Sequence, residues 1–88
     1  MAVTVFWSDQ AKKTYASNID YLKDAWGEKE LKKFLLRSEY VVVNIEDNPK
    51  LYSISNKSKK IRKAVVNKQI TLYYRYYPTK KTVVLLSF

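Results

Sequence analysis

Residues 61–88 read IRKAVVNKQITLYYRYYPTKKTVVLLSF, and this stretch decides the fold. β-Branched and aromatic residues fill three runs, 61–66, 70–77 and 82–88, each of strand length. Asn67-Lys68 separates the first two, and asparagine tolerates the positive φ of a tight hairpin turn. Pro78-Thr79-Lys80-Lys81 separates the last two and is a clearer turn. Connections this short join antiparallel neighbours, so the three runs predict a meander. The middle run alternates Ile70, Leu72, Tyr74 and Tyr76 against Thr71, Tyr73, Arg75 and Tyr77. One of these sets must face a core and the other solvent.

What covers the core face is written upstream. Ala11, Tyr15, Ile19, Leu22 and Trp26 recur at helical steps behind Ser8, a good N-cap. Gly27 stands where a helix should end. Glu28 and Glu30 then place acids at the positive end of a second helix. Leu31, Phe34, Leu35, Ser38, Val41, Val42 and Ile45 form its apolar face, and Asn48-Pro49 stops it. A single glycine between two helices forces an antiparallel hairpin. Residues 2–7 are β-branched and aromatic and predict a strand, whereas residues 51–60, rich in serine and lysine, show no period and predict a loop. The chain is thus expected to be one α+β domain over residues 1–88, ordered β-α-α-β-β-β, with a helical hairpin packed on one face of a small antiparallel sheet. Trp7 and Trp26 are expected in its core, or else lining a groove for a partner.

Charge divides the chain. The first 47 residues carry eight acids and seven bases, while residues 48–88 carry ten bases and no acid, giving the net +9. Such one-sided charge repels itself and implies a polyanionic or acidic partner. Cysteine and histidine are both missing. Disulfides and thiolate metal sites are therefore excluded, as is the commonest general acid or base. No cofactor is implied. No apolar run reaches the roughly 18 residues of a membrane span. The first residues lack the basic n-region of a signal peptide. The expectation is a cytoplasmic protein with no membrane partner.

The cations fall on or beside the three runs: Lys57, Lys59, Lys60, Arg62, Lys63, Lys68, Arg75, Lys80 and Lys81. A basic sheet face with interleaved tyrosines can reach phosphates and stack on bases. The plainer alternative is that the tyrosines are sheet packing and the lysines solvated surface. Arg62, between Lys60 and Lys63 in sequence, is the strongest single candidate and is expected on the solvent face. Its plainer role is an ion pair with Glu39 or Glu46.

The order of motifs resembles that of the RelE/ParE superfamily of type II toxin–antitoxin toxins. It comprises a short strand, Trp7-Ser8-Asp9-Gln10-Ala11 opening a helix, and a second helix closing in Asn48-Pro49. Lys60-Ile61-Arg62-Lys63-Ala64-Val65-Val66, Ile70-Thr71-Leu72-Tyr73-Tyr74-Arg75-Tyr76 and Val83-Val84-Leu85-Leu86 follow. The resemblance implies a growth-inhibiting toxin neutralised by an acidic, partly disordered antitoxin. That antitoxin would lie on the basic half, adding a strand at a sheet edge or a helix in a groove beside the hairpin. In the RelE branch the toxin enters the ribosome and cuts mRNA without a metal; in the ParE branch it poisons DNA gyrase. For a nuclease the resemblance places Arg62 and Lys60 at the chemistry, and cationic side chains there would stabilise charge on phosphorus. Lys57, Lys59, Lys63, Lys68, Arg75, Lys80 and Lys81 would hold the target. The arginine that often precedes the family's next strand is replaced at Gln69 or Ile70. The C-terminal arginine and tyrosine of active nucleases have no counterpart before Phe88. This points to a ParE-like member, a degenerate one, or a chain shortened after the last strand. A binding module for nucleic acid, without toxicity, is the alternative from charge alone.

Overall fold

The computed structural model describes residues 3–56 and 58–88. Ala2, expected to open the first strand, and Lys57, an expected target contact, lie outside the described residues. The elements are β1 (Thr4–Trp7), α1 (Asp9–Ala25), α2 (Glu28–Asp47), β2 (Ser53–Ser55), β3 (Ser58–Val65), β4 (Thr71–Tyr77) and β5 (Thr82–Ser87). The α+β layout of a helical hairpin on one sheet face holds.

Local chemistry sets the helix ends as expected. The Ser8 hydroxyl accepts from the Ala11 N–H at 3.0 Å and donates to the Leu86 carbonyl at 3.1 Å. One side chain thereby caps α1 and ties it to β5. Trp26 and Gly27 both donate to the Leu22 carbonyl, closing α1. Gly27 has φ 89° and ψ 178°, a backbone region that is nearly glycine's alone. Space is not the constraint there, because nothing lies within 4 Å of where a Cβ would stand.

The sheet order is β1-β5-β4-β3-β2. The predicted meander β3-β4-β5 is antiparallel throughout. The sheet as a whole is mixed, however, because β1 runs parallel to β5 with Thr4 opposite Thr82 and Trp7 opposite Leu85. Short turns fix only the three strands they join; β1, separated from the rest by the hairpin, can pair either way round. A second departure is β2, inside the segment expected to be a loop. It pairs antiparallel with β3 across a register shift between Ile54 and Ser55. As a three-residue edge strand it buries only Ser55, so it carries no apolar alternation for a sequence reading to detect. The β3–β4 turn also differs. Asn67 does not adopt positive φ; its side-chain oxygen accepts the N–H groups of Gln69 and Ile70 at 2.9 and 2.8 Å. The described non-glycine residue with positive φ is Lys81, at 47°, in the other turn.

The core lies between hairpin and sheet. Phe34, Val41 and Ile45 from α2 and Ala11 and Leu22 from α1 meet Ala64, Val66, Ile70, Leu72, Tyr74, Val83 and Leu85. Ser38, buried among them, donates to the Phe34 carbonyl at 2.7 Å and so leaves no polar group unmet. At the β1 end Trp7 stacks on Phe88 and meets Tyr15 edge-on, each at 5.1 Å between centroids. Trp26 corrects the expectation of a core residue: it is 54% exposed. It sits past the last turn of α1, where helical periodicity no longer governs its direction. Among the described residues, no helix is long and apolar enough to cross a membrane.

Candidate functional site

β4 separates two environments by simple alternation. Leu72 and Tyr74 point into the hairpin and are fully buried, and Tyr76 packs against the same core. Thr71, Tyr73, Arg75 and Tyr77 are half-buried on the opposite face, which no helix covers. Arg75 lies with its guanidinium 4.6 Å from the Tyr77 ring centroid, a cation–π contact that holds the charge over the sheet. Lys63 is the cross-strand partner of Tyr73, and Ile61 that of Arg75. On the other side Val84 is opposite Arg75, and Phe6 of β1 is opposite Val84. The open face is therefore cationic and aromatic along β3 and β4 and becomes apolar toward β1, where Phe6 is 57% exposed.

The remaining cations occupy the ends. Lys80 and Lys81 lie in the β4–β5 turn, and Lys59 and Lys60 are exposed at the start of β3, before its pairing with β4 begins at Ile61. These four share one end of the sheet with Arg75 and Tyr77. Lys68, in the β3–β4 turn, is at the other end. None of these lysines and arginines is tied to a carboxylate. Among the described residues the sole ion pair is Lys33 with Glu30 at 3.5 Å, a surface pair within α2. Among the described residues, the bases of the basic half are thus not ion-paired with the acids of the helical half.

Arg62 is placed differently from the sequence expectation. It is the cross-strand partner of Tyr74, which puts it on the hairpin side of β3, away from Lys63 and Arg75. Its Nη1 donates to the Tyr52 carbonyl at 2.7 Å and to the Lys50 carbonyl at 3.4 Å. Neither the solvent face nor an ion pair with Glu39 or Glu46 describes it. Residues 51–60 show no period, and a backbone carbonyl at Lys50 or Tyr52 leaves no mark in the side-chain pattern, so these acceptors are not legible in the sequence. Around the same point, the Tyr74 hydroxyl donates to the Pro49 carbonyl at 2.8 Å, Asn44 donates to the Tyr52 hydroxyl at 3.3 Å, and the Tyr52 and Tyr74 rings meet edge-on. Arg62 is therefore part of a brace that holds the exit of α2 against the sheet. Burial pushes the Tyr74 phenol up to about 12, with the nearby Arg62 charge opposing the shift. That group stays protonated at neutral pH.

Phe6, Ile61 and Val84 are open-face residues that the sequence reading did not single out. Period-two alternation from Trp7, a core residue, would have assigned Phe6 to the outer face; no charge or motif marked it.

The arrangement, a helical hairpin on one face of a five-stranded mixed sheet, is a fold shared with chains of two solved toxin–antitoxin systems. The chain superposes on a chain of the chromosomal ParDE toxin–antitoxin system from P. aeruginosa with a TM-score of 0.77. That match has 13% identity and covers 98% of this chain and 92% of that one. A chain of the heterotetrameric YoeB–YefM toxin–antitoxin complex from Staphylococcus aureus matches with a TM-score of 0.62. There the identity is 15%, over 99% of this chain and 94% of that one. No family model and no curated protein matches the sequence.

Proposed function

We propose that the chain is the toxin of a type II toxin–antitoxin system, silenced by a cognate acidic antitoxin, and that it inhibits growth by binding its target. The observation that carries this reading is the open sheet face. Lys63, Arg75, Tyr73 and Tyr77 share it, Phe6 and Val84 adjoin them, and among the described residues no carboxylate pairs with Lys63 or Arg75. A free cationic surface on this fold is what an acidic, folding-on-binding antitoxin requires. The likeness to chains of the ParDE and YoeB–YefM systems supports the same class.

Between the two mechanisms, the geometry favours the gyrase-directed, ParE-like one. Phosphoryl transfer to a 2′-hydroxyl needs a group to take the proton and cations to hold the developing charge at one place. Here Arg62 is engaged by the Tyr52 and Lys50 carbonyls behind the sheet, and Tyr74 is buried with its proton held. Lys60 and Arg62, named together for that chemistry, do not converge on the open face. Ribosome-dependent mRNA cleavage remains the second reading, favoured by the cluster of Lys59, Lys60, Arg75, Lys80 and Lys81 beside Tyr77 at one sheet end.

Induced expression in bacteria without the antitoxin tests the class, and growth arrest is expected. Intact mRNA with an induced DNA-damage response is the expected signature, whereas new mRNA 5′ ends at codon boundaries would transfer the reading to cleavage. Normal growth at high expression would overturn the toxin assignment and leave the binding module.

A further inference from the structure

The outward side of α2 carries a second apolar stripe that no element among the described residues covers. Leu36 is 67% exposed, Tyr40 68% and Val43 46%. They follow one another at steps of four and three, on the side of the helix opposite Phe34, Ser38, Val41 and Ile45. The same stripe continues to Lys29 and Lys32 toward the N-terminus and to Asp47 at the C-terminus, all exposed. Basic residues thus occupy one end of the stripe, an acid the other, and apolar residues the middle.

We propose that this face is a homodimer interface, joining two copies of the chain through antiparallel α2 helices about a two-fold axis at the level of Ser38. The central apolar pair and the charged ends are self-complementary in that one direction, with Val43 set against the stem of Lys33. Reversing the helix about residue 38 brings Leu36 opposite Tyr40 and Lys29 opposite Asp47, each contact occurring twice. Antiparallel α2 helices also oppose their dipoles favourably. Global charge permits contact at this face. The chain carries +9, so the basic sheet surfaces of two copies repel, but α2 holds five acids and four bases and, like α1 with three of each, lacks the cationic excess. The sheet face stays free on both copies.

Sedimentation equilibrium of the isolated chain tests this without any target or antitoxin, so its outcome is separate from the toxin reading. At about 100 µM the wild type is expected at twice the 10.4 kDa of one chain. Leu36→Glu places a charge in the apolar centre and should raise the dimer Kd by at least about tenfold, with unchanged circular dichroism because Leu36 is exposed. Lys29→Glu should raise it about two- to fivefold, and the swap Lys29→Glu with Asp47→Lys should restore it. Should Leu36→Glu fail to fold, the charge swap decides alone. A wild type that stays monomeric would overturn the proposal and assign the stripe to a different protein. A dimer indifferent to Leu36→Glu and to the charge swap would overturn it by placing the interface elsewhere.

Discussion

The two faces of the sheet are built from the same residue types and have opposite fates. Tyr74 and Tyr73 are neighbours in β4, yet one is sealed under the hairpin with its hydroxyl on Pro49 and the other stands on the open face beside Lys63. Arg62 and Arg75 lie on adjacent strands, yet one is spent on backbone carbonyls and the other rests over a tyrosine ring. Residue type alone therefore says little here about role. Parity along the strand, and what waits on each side, decides it.

The largest effect should come from breaking the buried face. Tyr74→Ala removes a fully buried ring and should cost about 3–5 kcal/mol of stability in chemical denaturation. Tyr77→Ala, on the open face and half-buried beneath Arg75, should cost less, about 1–2 kcal/mol. Similar losses from both would erase the distinction between the faces.

The arginines sharpen the contrast. Arg62→Ala leaves the Tyr52 and Lys50 carbonyls without their donor and should cost about 1.5–3 kcal/mol, the range of a hydrogen bond to a charged group. Arg75→Ala should leave stability within about 0.5 kcal/mol while weakening growth inhibition. A stable Arg62→Ala protein with full loss of activity would return Arg62 to the role its sequence neighbours suggested.

Those neighbours show what the sequence could and could not convey. The hairpin and the three-stranded meander were legible because apolar periodicity and turn residues each speak for one element. The open face was legible as a set, Thr71, Tyr73, Arg75 and Tyr77, because alternation is local. The side of the sheet on which Arg62 falls was not, since it depends on register against β4 and on the backbone of residues 50–52. The parallel pairing of β1 with β5 was hidden for a similar reason: its partner is more than seventy residues away in the chain. Trp26 illustrates the limit of periodicity itself, which stops describing direction where the helix stops.

The buried phenol gives the comparison a pH signature. Tyr74 ionises near 10.0 in the unfolded chain and only at about 12 when folded. Its contribution is fully present below pH 10 and is lost as pH rises toward 12, because over that window the unfolded chain sheds a proton that the folded one keeps. Thermal melting temperatures of the wild type should fall over this range more steeply than those of Tyr74→Phe, although Tyr74→Phe starts lower through its lost bond to Pro49. Parallel slopes would mean that the phenol is solvated.

The smallest effects belong to single cations on the open side, and they separate a working face from mere surface charge. If nucleic acid is bound there, each phosphate contact contributes about −0.7 to the log–log salt slope on a single strand and about −0.9 on a duplex. Lys63→Ala or Arg75→Ala should each flatten that slope by close to one such step. Lys68→Ala, at the far end of the sheet, should leave it unchanged. Equal shifts from all three would show a diffuse attraction with no preferred face. No salt-dependent binding by the wild type, together with retained growth arrest, would mean that the open face meets a protein, and would direct attention from its lysines to Phe6 and Val84 beside them.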